Sequence, residues 1–240
     1  MLEAAADGAN ELVFPRHPSL SPDSSQVAFS HQGDIWVAAV SDGRARRLTA
    51  HDAYDGTPLW SPDGSKLAFL STRFGNNDVF VVAVEGGAPQ RVTWHSEHDQ
   101  VHGWLDHDRL LLSRTGTRMY SRRGRGAWVG YLDGRTPTML VDTAMLRPAA
   151  TAGGGVIAYE RGHGDPRRRG YRGSASSALW LWDAASGEHH ALTDFDGNDL
   201  NPMWSPTANH VYFTSDRECV GNEDGRELGL WRVDVANGAV

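Results

Sequence analysis

The chain of 240 residues has a formal net charge of −7 and is 40% hydrophobic and 22% charged, the balance of an ordinary folded protein rather than a disordered one. The acidic total argues against a nucleic-acid binder, and Cys219, the only cysteine, rules out an internal disulfide and a thiolate metal cluster. No stretch approaches the roughly 20 apolar residues of a membrane helix, and the opening residues lack the basic and apolar regions of a secretory signal, so a soluble, cytoplasmic protein is expected.

Nine Trp and 27 Gly, with few apolar runs at helical spacing, favour short strands joined by tight turns. The basic charge is almost all Arg, Lys66 being the only lysine. In chain order the first strand pair is "LSPDSSQVAF" (20–29), followed by "DIWVAAVSDGRARRLT" (34–49). The pattern returns as "WSPDGSKLAF" (60–69) with "DVFVVAVEGGAPQRVT" (78–93), and again as "WSPTANHVYF" (204–213). Pro presets the turn, Asp bonds the backbone ahead of it, and Gly64 tolerates positive φ. In the second half of each unit an aromatic precedes the end of the last strand by 13 positions: Trp36 to Thr49, Phe80 to Thr93, Trp128 to Val141 and Trp180 to Thr193. Trp231 opens a fifth copy whose partner would fall beyond Val240.

Four antiparallel strands in about 40–50 residues predict one propeller blade per unit. The expected fold is therefore all-β, a β-propeller forming a single domain. Its blades are drawn at about 15–50, 51–95, 96–143, 144–195 and 196–240, the last unfinished. Each sheet is apolar on both faces, so stacking is needed to cover it, and the Trp and Phe of the repeat are expected in the core. Insertions rich in Arg, Gly and Ser interrupt the third and fourth units and read as rim loops.

Four histidines, His95, His98, His102 and His107, crowd a blade connection without the geometry of a zinc site. The segment "DFDGND" (194–199) lacks the ligand alternation of a calcium loop. No nucleophile elbow or phosphate loop exists, and "TAGGGV" (151–156) reads as a substitute for the Ser-Pro-Asp-Gly turn. No metal, cofactor or catalytic residue is expected in this chain. Asp55, Asp99 and Asp199 share one register before the first strand of a blade and are expected to form an acidic ring at one mouth of a channel. In the Arg-rich insertions, Arg122, Arg123, Arg168, Arg169, Tyr171 and Arg172 are candidates for contact with a partner.

The succession "RVTWHSEHDQVHGW", "LLSRTGTRMYSRRGRGAWVGYLDG" and "YERGHGDPRRRGYRGSASSALWLWDAASGEHHALTDFDGNDLNPMWSP" resembles the N-terminal propeller of tricorn-type serine peptidases, within the wider TolB-like repeat class. Tyr171-Arg172-Gly173 is its most distinctive piece, and the resemblance covers about residues 12–240. It implies a six-bladed ring of which five blades are recognisable, so that the chain reads as the front end of a longer, oligomeric peptidase. It also implies a non-catalytic role in filtering peptides and docking on other domains or subunits. A stand-alone TolB-like binding propeller and the propeller of a prolyl-oligopeptidase-type hydrolase are the alternatives.

Overall fold

The computed structural model describes residues 14–114, 126–162, 171–174, 176–218 and 228–240. The chain divides into two compact units, Met1–Trp94 and His95–Val240. In the first, β1 (Arg16–Leu20), β2 (Gln26–His31), β3 (Asp34–Ala39) and β4 (Ala45–Arg47) form one antiparallel sheet in sequential order. A second is built the same way from β5 (Asp55–Trp60), β6 (Lys66–Ser71), β7 (Asp78–Ala83) and β8 (Gln90–Arg91). The second unit holds the sheet of β9 (Asp99–Trp104), β10 (Arg109–Arg114), β11 (Ala127–Tyr131) and β12 (Thr138–Val141). It is followed by that of β13 (Leu146–Ala150), β14 (Val156–Gly162), β15 (Ser177–Asp183) and β16 (His189–Ala191). The last sheet is β17 (Asp199–Trp204), β18 (His210–Ser215) and β19 (Gly229–Asp234), three strands among the described residues. The fold is thus all-β and built of propeller-type blades, as expected, and five of them are present.

The first turn of each blade follows from its sequence. Ser21 donates to Asp23 (2.6 Å) and accepts from the Gln26 amide (2.9 Å), while Ser24 takes a positive φ of 62°. Ser61, Asp63 and Lys66 repeat this, with Gly64 at φ 71°. Hydrogen bonds from Ser21 and Ser25 hold the Asp23 carboxyl down at about 2. In the fourth blade Thr151 takes the serine's place, accepting from the Val156 amide at 3.1 Å, with Gly154 in the left-handed position. "TAGGGV" is therefore the substitute turn that its position suggested.

The 13-residue interval also has a physical cause. Its Thr hydroxyl accepts the amide of the residue before the aromatic: Thr49 from Ile35 (2.9 Å), Thr93 from Val79 (2.9 Å) and Thr193 from Leu179 (3.1 Å). The last strand is thereby fastened to the third where the sheet ends. The aromatic itself pairs across the sheet with strand two: Phe29 with Trp36, Phe69 with Phe80, Leu112 with Trp128, Tyr159 with Trp180, and Phe213 with Trp231.

Inside each unit the faces interlock. Ala28, Ile35 and Val37 of the first blade pack against Leu67, Phe69, Phe80 and Val82 of the second. Leu111 and Val129 meet Ile157, Tyr159 and Trp182, whose sheet in turn buries Leu179 and Leu181 against Val211, Phe213 and Val233. Burial of each such side chain contributes about 1.5–3 kcal/mol. Two tryptophans add a polar link between neighbours, since Trp60 Nε1 donates to the Ser19 carbonyl and Trp204 Nε1 to that of Ala149, both at 2.9 Å.

Candidate functional site

The first strand of every blade is interrupted by a β-bulge. In four blades two residues oppose one aromatic of strand two: His17-Pro18 against Phe29, Thr57-Pro58 against Phe69, Arg147-Pro148 against Tyr159, and Asn201-Pro202 against Phe213. Pro cannot donate to a ladder, and its fixed geometry suits an interrupted strand. The residue before it takes the left-handed conformation, with φ of 52° at His17, 55° at Thr57, 44° at Arg147 and 55° at Asn201. None of these is glycine, so each holds local strain of the kind that clusters at functional positions. In the third blade a single extra residue, His102, occupies the bulge.

These bulge residues form a repeated polar row. Four are bonded to strand two of their own blade: His17 Nδ1 lies 3.1 Å from the Ser30 hydroxyl, His102 Nε2 lies 2.8 Å from that of Ser113, Arg147 pairs with Glu160, and Asn201 donates to Thr214 at 2.9 Å. His17, Arg147 and Asn201 are exposed, and Thr57 and His102 are half-buried. The row offers hydrogen-bond donors and acceptors on fixed backbones. Glu160 is fully buried, receives the Asn201 amide at 2.7 Å, and has its carboxyl pushed up by burial against the opposing pull of Arg147.

Strand direction puts the start of strands one and three, and the end of strands two and four, at one end of each sheet. There lie the three register-equivalent acids. Asp55, in the first unit, pairs with Arg73 (2.6 Å); Asp99 and Asp199, in the second, pair with Arg114 (2.9 Å) and Arg217 (2.8 Å). All three carboxylates are fully buried. Each arginine also lies over an aromatic ring of its blade: Arg73 is 5.2 Å from Phe80, Arg114 is 4.6 Å from Trp128, and Arg217 is 5.4 Å from Phe213. In the fourth blade the register position of these acids is held by Met145, and the Arg147–Glu160 pair belongs to the bulge instead. A second row joins strands three and four, Asp34 to Arg47 and Asp78 to Arg91. Where the acid becomes Gly126 or Ala178, the base becomes Met139 or Ala191, so the pair is kept or lost as one.

Tyr171 and Arg172 begin the next described stretch of the fourth-blade insertion; Arg122, Arg123, Arg168 and Arg169 lie outside the described residues. Arg172 is held within the protein. It donates to the Asp216 carboxylate (3.2 Å) and carbonyl (3.3 Å) and lies 4.6 Å from the Phe195 ring centre, while Arg217 lies 4.7 Å from the same ring. Asn198 bonds both oxygens of Asp216, so "DFDGND" is a structural connection. Gly197 is required there, because a Cβ would sit 2.4 Å from Arg172 and from Asp216. Among the described residues no three His, Cys, Asp or Glu are grouped to hold a metal, and no helix is long and apolar enough to cross a membrane.

The bulge row was missed in the sequence, although its signal was present. A Pro stands four residues before the turn Pro in "PSLSP", "PLWSP" and "PMWSP". The arginine partners were missed too, although Arg73 and Arg217 each follow their acid by 18 positions.

Residues 13–240 match the family described as the tricorn protease N-terminal beta propeller domain. The chain is 34% identical over 204 residues to tricorn protease homolog 1 of Streptomyces coelicolor, covering 83% of this chain and 19% of that protein. It thus spans about a fifth of that relative's length. The crystal structure of the tricorn protease superposes with a TM-score of 0.73 at 17% identity, over 92% of this chain and 21% of that one. TolB from Acinetobacter baumannii gives 0.69 at 17% identity, over 94% and 53%. At these identities the two structures speak to fold alone.

Proposed function

The chain belongs to the tricorn protease N-terminal β-propeller domain family, and from that premise we propose that it is the non-catalytic propeller portion of a tricorn-like serine peptidase. In this reading its blades belong to a six-bladed ring that admits or filters peptides and docks on the other domains of an oligomeric peptidase. The family match across residues 13–240 carries the proposal. The first strand of a propeller blade borders the central channel. The bulge row of His17, Thr57, His102, Arg147 and Asn201 is accordingly the surface that passing peptides touch. The mouth position of Asp55, Asp99 and Asp199 stays part of the proposal, now as charge-paired posts rather than as bare acids.

The test is binding of fluorescent peptides of about ten residues to the purified chain, with hydrolysis measured in parallel. Weak binding without turnover is expected, reduced severalfold by Asn201→Ala, whose partner Thr214 is half-buried and can turn to water, and by His102→Ala. Turnover by the chain, or peptide binding indifferent to both substitutions, would overturn the reading.

A further inference from the structure

The fourth blade keeps a base where its acids have gone. Arg161 stands two positions beyond Tyr159, the residue opposite Trp180, as Arg114 stands two beyond Leu112, the residue opposite Trp128. The two guanidiniums also lie alike, 4.2 Å from the ring centre of Trp180 and 4.6 Å from that of Trp128. In the third blade Asp99 lies across from Arg114 on strand one and pairs with it at 2.9 Å. In the fourth, Leu146 opposes Glu160, so the residue across from Arg161 on that side is Met145, which is fully buried. On the other side Arg161 faces Ala178, at the position where the first two blades carry Asp34 and Asp78.

Both places from which the other blades draw a carboxylate are therefore apolar here. Among the described residues no acid is paired with Arg161. The arginine is exposed and Trp180 is half-buried. Its charge also reaches inward, to Tyr159 and His189, which share a hydrogen bond of 2.8 Å. Burial, and after it the charge of Arg161, hold the His189 ring below the usual imidazole range, and the same charge opposes the rise that burial gives the Tyr159 hydroxyl. A carboxylate set against Arg161 would cancel that influence.

We propose that Arg161, seated on Trp180, docks an acidic peptide segment, whose Asp or Glu carboxylate takes the place that Asp99 fills in the third blade. Charge complementarity selects the partner. A guanidinium binds a carboxylate through two parallel N–H donors, and stacking on a ring limits how far it can turn away. The indole beside it offers apolar contact to an uncharged neighbour of the acidic residue. Arg161 and Trp180 stand on strands two and three, whereas the bulge row stands on strand one, so the site does not depend on the peptide-filter reading.

The experiment uses the whole 240-residue chain and two synthetic pentapeptides capped at both ends, acetyl-Gly-Leu-Asp-Leu-Gly-amide and its Asn counterpart. The Asp side chain is then the one carboxylate that distinguishes them. Binding is followed by NMR, at the Trp180 indole N–H and through the titration of the His189 ring. The Asp peptide is expected to bind about threefold more tightly or better, as befits a surface pair on a stacked arginine. Saturating Asp peptide should raise the His189 pKa, because the neighbouring positive charge is cancelled, and Arg161→Gln should raise it without peptide. Arg161→Gln should also remove the preference for Asp over Asn. Arg161→Lys, which keeps the charge but loses the fork, should keep only part of that preference. Arg161 is exposed, so neither variant is expected to disturb folding. Three results overturn the proposal: equal binding of the two peptides, a preference for Asp that survives Arg161→Gln, or a His189 pKa that Arg161→Gln leaves unchanged. The last would show that a carboxylate of the chain itself already meets Arg161.

Discussion

Arg217 meets a carboxylate that has no access to water. Replacing it with Met leaves Asp199 with Ser215, which donates at 2.7 Å, but without a countercharge, and removal of one partner from a buried pair costs about 3–5 kcal/mol. The double substitution Asp199→Asn with Arg217→Met should lose clearly less than Arg217→Met alone, because the pair repays its own desolvation only in part. Urea unfolding of the single and double variants decides this, and equal losses would refute it. Glu160 makes a different prediction. Its folded carboxyl holds its proton above the ordinary value of 4.5, so between 4.5 and that higher value the folded state binds more protons than the unfolded chain. Its contribution to stability therefore falls as pH rises through that window. Glu160→Gln should remove this part of the pH dependence, visible as a flatter urea midpoint from about pH 4.5 upward. An unchanged profile would show that Arg147 offsets the burial in full.

A strand pair depends on where it is fastened. Thr193→Val keeps the shape at the end of the fourth blade but leaves the Leu179 amide without its hydroxyl acceptor, an expected loss of about 1–3 kcal/mol. Thr193→Ser should restore most of it, and a Val variant as stable as the original would refute the clamp. Neighbouring blades are fastened by other means. Trp204→Phe retains most of the ring but loses the bond to Ala149, for about 0.5–1.5 kcal/mol, read from the same unfolding curves. A loss above that range would point to indole packing rather than the hydrogen bond. Much of this was legible beforehand, because turn residues and a fixed interval are local. The Ser-Pro turns, the substitute turn at Thr151 and the Thr closing the first, second and fourth repeats follow from residues near one another in sequence. The bulges were not read, because a bulge exists only as a mismatch between two strands and is invisible in either alone.

Charge is distributed over the molecule in two ways. Asp55, Asp99 and Asp199 are buried and their arginine partners nearly so, whereas Arg44–Asp42 and Arg135–Asp133 are exposed pairs. Salt screens exposed charges far more than buried pairs. The unfolding free energy is therefore expected to change by less than about 1 kcal/mol between 0.05 and 0.5 M salt, and a steep decline would show that the rows are open to water. The same rows alter the meaning of the acids read from the sequence. Their equivalence was visible in the offsets, but their neutralisation was not, because Arg73, Arg114 and Arg217 belong to a different strand of the blade.

By itself the sequence determined the all-β class, the repeated blade, the turns, the closing Thr and the resemblance to the tricorn propeller. These rest on local backbone chemistry and on a period that survives divergence of the side chains between. Only the tertiary structure decided which charges are met, that Arg172 is spent within the protein on Asp216 and Phe195, and that the first strands carry a polar row on strained bulges. Each of these depends on which strand lies opposite which, and pairing across a sheet is settled by register and burial rather than by neighbours along the chain.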